Sequence, residues 1–293
     1  MKTYKLFALC AAVLLPAWTV FAQEETLENT TSWKAEVFAS AASGTNTPFW
    51  LASNRYGLVP LDAGNGYGLT GITHHQSLNK DWSWQAGLSL AAVEPRYRNI
   101  LIQEFFAGVS YKNLRLTIGS KENHTSLWNK ALSSGDMVHS GNARPIPELN
   151  LSMPHFTLVP YTKGWLLVKG DFAVGRSFDE SYLKQTVRPG TTYVDNVLWH
   201  HKSGYLRLED TKGNFPVSAT VGLQHWVQWG GTSSNPKIGK QPQSFRDFIR
   251  VVTGSEGGEG ATLSDQINVF GNHYGSYDME LAYQGQKLSA RAY

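Results

Sequence analysis

The chain has almost no cysteine, little charge and only one long apolar run, and each shortage removes a class of protein. Its 293 residues contain a single cysteine, Cys10. Cys10 falls inside an export leader, so the exported chain carries no disulfide, and thiolate metal sites and cysteine nucleophiles are excluded. Lipidation of Cys10 is excluded too, because Leu9 is too large for the preceding position and the apolar run continues past it. Charged residues make up 17%, against about 25% in an ordinary soluble domain. The net charge of +3 is too small to argue for nucleic acid or an anionic surface. After the N-terminal run nothing approaches ~18 consecutive apolar residues, which excludes insertion as a transmembrane helix.

The leader itself is plain. Lys2 and Lys5 precede an apolar run from Leu6 to Val20, and Val20-Phe21-Ala22 offers a small-residue cleavage site. Residues 1–22 therefore read as a secretory signal peptide, and residues 23–293 as one exported domain. Aromatics reach 12% and glycines number 28. Low charge with many aromatics and glycines suits a membrane β-barrel, whose oily wall is diluted by a polar lumen.

Period-2 alternation is the strongest pattern. In Val217–Trp229, Val217, Ala219, Val221, Leu223, Val227 and Trp229 fall on one face, and Ser218, Thr220, Gly222, Gln224 and Gln228 on the other. Side chains flip at each residue of a strand, so this is a strand with one oily and one polar face. Its length fits the ~9–11 residues needed to cross an outer membrane at a tilt, and Trp229 closes the oily face where an aromatic girdle would sit. His225 breaks that face. Trp82, Trp84, Ala86, Leu88 and Leu90 alternate likewise, as do Leu101, Phe105, Ala107, Val109 and Tyr111, with Gln103 out of step. Lys112-Asn113 makes a two-residue hairpin loop that keeps Tyr111 and Leu114 in register. Further strands are expected at 33–39, 166–174, 194–200, 205–209, 267–270 and 279–283, with Gly57–Gly71 as a glycine-rich loop. One stretch has a helical period: Phe245, Phe248, Ile249 and Val252, with Ser244 as N-cap, Asp247 three residues on and Gly254 beyond the end. The fold class is all-β, an antiparallel transmembrane barrel with a short helical connection.

Few residues offer chemistry. Gly66-Tyr67-Gly68-Leu69-Thr70-Gly71 matches GxGxxG, but a dinucleotide site needs those glycines between a strand and a helix N-terminus, and here they lead into a β meander. His74-His75 and His200-His201 resemble metal ligands, yet neighbours in a strand point to opposite faces. No GxSxG elbow or HExxH is present, and the acidic residues are too scattered to pair for glycoside hydrolysis. No cofactor, metal or catalytic activity is expected. Three stretches are more particular: Ser133–Pro147 (SSGDMVHSGNARPIP), the strand exit GLQHWVQWGG and Gly271–Asp278 (GNHYGSYD). They combine aromatic rings with amides, carboxylates and a guanidinium, groups that suit the C–H faces and hydroxyls of carbohydrate. The candidate polysaccharide-binding residues are Asn142, Arg144, His225, Trp226, Gln228, Trp229, Asn272, His273, Tyr277 and Asp278. Glycine and asparagine also make turns, so Asn142-Ala143-Arg144-Pro145 has an equally simple reading as a shaped connection.

SGNARPIP, HWVQWGG and GNHYGSYD, in that order behind a signal peptide, resemble the Wzi family of capsule-assembly proteins in its Bacteroidetes branch. The resemblance runs from about Trp33 to the end. It implies an outer-membrane barrel of about eighteen strands with a small helical portion on the periplasmic side. It also implies a lectin-like, non-catalytic role: holding capsular or extracellular polysaccharide at the cell surface, with outer-membrane lipid and the capsule export machinery as partners. At roughly 20–25 residues per strand and connection the chain supplies only about eleven to thirteen strands. The expectation is a sequence lacking its C-terminal strands, the alternative a smaller barrel closing on Tyr293. A porin-like channel for sugars or small solutes fits the same strands, and a secreted β-sandwich enzyme is the third reading.

Overall fold

A computed structural model describes residues 29–95, 100–122, 127 and 135–293. The leader, residues 1–22, and the first two residues of the Ser133–Pro147 stretch lie outside them. In chain order the elements are β1 (Asn29–Asn46), α1 (Phe49–Ala52), β2 (Asp62–Ser77), β3 (Trp82–Glu94), β4 (Ile100–Tyr111), β5 (Leu114–Ser120), β6 (Glu148–Leu158) and β7 (Leu166–Arg176). There follow α2 (Glu180–Thr186), β8 (Val194–Asp195), β9 (Leu198–Leu208), β10 (Val217–Trp229), β11 (Thr232–Ser233), α3 (Phe245–Thr253), α4 (Leu263–Ile267), β12 (Asn272–Gln284) and β13 (Ser289–Ala292).

Among the described residues eleven strands form one antiparallel meander, each beside its predecessor, while β8 and β11 pair with each other in the connections. The fold is therefore all-β, and no helix among the described residues is long and apolar enough to cross a membrane. The sheet does not close: β1 pairs only with β2 and β13 only with β12. In an antiparallel meander the first and eleventh strands run in the same direction, so these two edges cannot meet antiparallel.

The sheet is inverted relative to a soluble one. Its polar face is buried, with Gln85, Ser89, Ser110, Thr117, Asn150, Ser152, Asp171, Thr220, Gln224 and Glu280 all shielded from solvent. Its oily face is bare, with Val37, Leu88, Phe105, Ile118, Leu151, Leu206, Val221 and Leu223 exposed. At one end the connections are short, spanning 78–81, 112–113, 159–165, 209–216 and 285–288. Trp82, Tyr111, Trp165, Phe215 and Tyr283 cluster at that end, where Trp82 lies 4.9 Å from Tyr111 and Trp165 6.2 Å from Phe215. At the other end, apart from 95–99, the connections are long: 47–61, 121–147, 177–197 and 230–271. The four helices among the described residues lie in these long connections.

The 47–61 connection and residues 135–147 fill the buried side. The β1–β2 connection places Ala52, Leu58 and Val59 against Tyr67, Leu69, Ala91, Val93 and Leu101, the largest apolar cluster. Gln103 breaks the alternation of β4 for an identifiable reason. Leu90 pairs with Ile102 and Ser89 with Glu104, so Gln103 is the extra residue of a β-bulge. The bulge turns Leu101 and Gln103 inward while Phe105, Ala107, Val109 and Tyr111 stay outward. Gln103 then donates to the Tyr56 carbonyl at 3.0 Å and to the Glu122 carboxylate at 3.1 Å.

Several segments differ from their expected form. Gly57–Gly71 is not a loop, since from Asp62 onward it is the first half of β2. Gly66 and Gly71 sit where a Cβ would collide with the Phe38 carbonyl of β1 and the Ser89 hydroxyl of β3, and the GxGxxG run lies inside a strand. Residues 267–270 are not a strand, because α4 ends at Ile267 and the chain then turns into β12. Gly271–Asp278, to which the sequence assigned no element, lies in β12 from Asn272 onward. The two strands expected at 194–200 and 205–209 are largely one, β9. β6 was not foreseen: its alternation lasts only from Leu149 to Met153 before a register shift around Pro154.

Candidate functional site

Toward the long-connection end, on the buried face, β6, β7, β9, β10 and β12 bring their polar side chains together beneath residues 135–147. Alternation aims Asp171, His201, Gln224, Trp226 and Asp278 inward, and strand pairing sets Trp226 beside His201 and Gln224 beside Ser203. His201 lies between two carboxylates, with Nε2 2.8 Å from Glu148 and Nδ1 2.8 Å from Asp171. The Ser203 hydroxyl also donates to Asp171. A histidine held by acids at both nitrogens has its ring plane set, and here the ring stacks nearly parallel on Trp226 with 4.1 Å between centroids.

The second half of the site is built on Gln224. Its amide donates to both carboxylate oxygens of Asp136, at 2.9 and 3.1 Å, and at 3.4 Å to Asp278. Asp278 accepts from the Tyr205 hydroxyl at 2.7 Å and from Ser276 at 2.6 Å. Gly222 makes this possible. A Cβ there would collide with the Tyr205 ring and the Gly204 carbonyl, so only glycine lets the tyrosine lie across β10 to reach Asp278. Asp136 also accepts from the amides of Val138 and His139, at 2.7 and 2.9 Å, shaping the turn that lays His139 on Trp226 with 4.3 Å between ring centroids. Burial, and then the nearby His201, hold the His139 imidazole below its ordinary pKa, against the opposing pull of Asp136 and Glu148. His139 is thus a neutral flat ring at pH 7.

The ten candidate residues divide among four places. Trp226 and Asp278 belong to this buried cluster. Gln228 and Asn272 lie on the same face nearer the strand ends, paired at 3.4 Å. Asn142 and Arg144 serve the connection: Asn142 accepts from the Gly57 amide at 2.9 Å, and Arg144 donates to the Ile102 carbonyl at 2.7 Å. They pin 135–147 to the β1–β2 connection and to β4.

His225, Trp229, His273 and Tyr277 face the other way. Tyr277 is 91% exposed on the oily face. Trp229 packs beneath α3 and Phe270. His225 interrupts the oily face because that part is covered. Its Nε2 meets His273 Nδ1 at 2.9 Å, while His273 Nε2 reaches the Phe270 carbonyl, also at 2.9 Å. Neighbouring Lys202 donates at 2.6 Å to the Val252 carbonyl in the last turn of α3, where a cation offsets the helix dipole. His200 and His201 do point to opposite faces: His200 bonds the Ala173 carbonyl and touches Phe248 of α3, whereas His201 enters the cluster.

Asp136, His139, Glu148, Asp171, His201, Tyr205 and Gln224 are members missing from the candidate residues, although Asp136, His139 and Gln224 fall inside the stretches that the sequence marked as particular. Their signal was modest: polar residues at inward positions of oily-faced strands. What assembled them was the neighbour order of β6, β7, β9, β10 and β12. Chemically the cluster is an aromatic platform ringed by carboxylates and an amide. No family model matches the chain, and no curated protein matches it.

Proposed function

We propose that this chain forms the wall of an outer-membrane β-barrel that retains capsular or extracellular polysaccharide at the cell surface without catalysis, the role implied by the resemblance to the Wzi family. One observation carries the reading: the meander buries its polar face and exposes its oily one, which is favourable only where the surroundings are hydrocarbon. A secreted sandwich would bury that oily face against a second sheet. The asymmetry of the connections supports the same orientation, since outer-membrane barrels keep short turns on the periplasmic side and long loops outside. In that orientation α1 to α4 lie on the extracellular side, opposite to the periplasmic helical portion that the resemblance implies.

The filled interior favours an anchor over a porin-like channel. The apolar cluster of the β1–β2 connection and the 135–147 segment docked on Trp226 occupy the buried side at its long-connection end. Retention of a polymer by such a protein rests on many weak contacts along one chain, which multiply without any single tight site. The polar surface around Gln228 and Asn272, together with the long connections, offers those contacts.

Deleting the gene in the source bacterium tests the proposal. Staining for capsule, with polymer assayed separately in cells and medium, should show polymer shed into the medium at unchanged total yield. An unchanged capsule with impaired sugar uptake would overturn retention and favour the channel.

A further inference from the structure

The outer face of β9, β10 and β12 is bare along most of its length, but its long-connection end is covered by α3. We infer that the α3–α4 connection is a membrane-interface collar, seated on the sheet by one flank and inserted by another into the headgroup and upper acyl region of the bilayer. This inference rests on the outer-membrane reading above.

Helix geometry carries the argument. Ser244 caps α3 and forms a reciprocal capping box with Asp247, and Gly254 ends the helix in the left-handed conformation. Phe248 and Val251 face the sheet, packing with Val227, Trp229, Phe270 and Leu198. At about 100° per residue, Phe245 and Ile249 fall together beside that flank, and Arg246, Arg250 and Thr253 fall on the side away from it. Phe245 is 77% exposed, whereas Phe248, the other phenylalanine of the helix, packs against the sheet. In α4, Leu263 and Ile267 repeat the pattern at i, i+4 and are 78% and 74% exposed. A helix with one flank on protein, an adjacent flank apolar and bare, and its far side carrying arginine matches an interfacial helix against a protein wall.

The dimensions agree. In β10 the outward residues left bare by α3 run from Val217 to Leu223, since Val227 and Trp229 are buried beneath it. At about 3.3 Å per residue and a tilt near 45°, those seven residues rise only about 15 Å, whereas the apolar band of such barrels is about 25 Å tall. The shortfall lies where Phe245, Ile249, Leu263 and Ile267 are. Lipid is the occupant because this surface is continuous with the oily face of the sheet, and because Arg246 sits at its polar border, where anionic headgroups would meet it.

Single cysteines at Phe245, Ile249, Leu263 and Ile267, in a Cys10→Ser background otherwise free of cysteine, can be nitroxide-labelled in the full chain refolded into phospholipid vesicles. Leu223→Cys marks the sheet's oily face and Arg246→Cys the polar side of α3. The collar predicts that all four labels collide with oxygen in preference to a water-soluble nickel chelate, as Leu223 does, while Arg246 prefers the chelate. If Leu223 prefers oxygen but the four helix sites follow Arg246, the collar is wrong and the membrane sheet stands. If Leu223 also prefers the chelate, the membrane reading fails and takes the collar with it. Shielding of the four sites from both reagents would mean that protein covers α3, which also overturns the inference.

Discussion

Replacing Leu223 by arginine separates a membrane wall from a water-facing sheet. Leu223 stands at the middle of β10, points away from the buried cluster and is 42% exposed. In water, an exposed surface substitution of this kind shifts stability by about 0.5 kcal/mol or less. Facing hydrocarbon, arginine near the bilayer midplane costs about 2–4 kcal/mol, falling to about 0–1 near the interface. Leu208 supplies the internal control. It is equally apolar, exposed and outward, but ends β9 beside the short connection that leads to Phe215. Leu223→Arg should therefore lower the folding equilibrium constant in phospholipid vesicles about 30- to 700-fold, at 1.4 kcal/mol per tenfold, and Leu208→Arg about fivefold or less. Urea titrations followed by tryptophan fluorescence read both. Equal, small effects at the two positions would refute the hydrocarbon-facing assignment of the oily face.

Three further outcomes follow from the same geometry. Ser244→Ala removes the hydroxyl that accepts from the Asp247 amide, leaving only the Ser244 amide's bond to the Asp247 carboxylate, and should cost about 1 kcal/mol, seen as greater α3 amide exchange while the exchange of β2–β5 is unchanged. Gln224→Ala withdraws the amide that joins Asp136 to Asp278. Hydrogen bonds to charged groups contribute about 1.5–3 kcal/mol, so residues 135–147 should become susceptible to limited proteolysis, whereas Gln228→Ala should leave them resistant. The depressed His139 pKa makes the same docking pH-dependent. The released ring protonates first as pH falls, so the stabilisation is present above the ordinary histidine value near 6.5 and declines below it. Proteolytic nicking of 135–147 should accordingly rise between pH 7.5 and pH 5, and His139→Phe, which stacks without titrating, should flatten that dependence.

The sequence by itself determined what depends on neighbours along the chain. Strict alternation over Val217–Trp229 and Trp82–Leu90 was enough for two-faced strands, because the two-residue period follows from backbone geometry alone. The Lys112-Asn113 hairpin and the α3 caps were legible for the same reason, since each is a contact spanning two to four residues. The opposite facing of His200 and His201 was equally local. Tertiary structure decided what pairing between distant strands determines. The out-of-step Gln103 is a bulge, which exists only relative to β3. His225 lies on an oily face because α3, some twenty residues later, covers that spot and His273 takes its nitrogen. Gly57–Gly71 looked like a loop because glycine lowers strand propensity, yet β1 and β3 on either side provide the hydrogen bonds that make most of it a strand. The candidate list mixed both faces of β10 and β12, since composition does not record direction. The buried cluster drew Asp136, Glu148, Asp171, His201 and Asp278 from segments up to 142 positions apart, and only the meander's neighbour order sets them side by side.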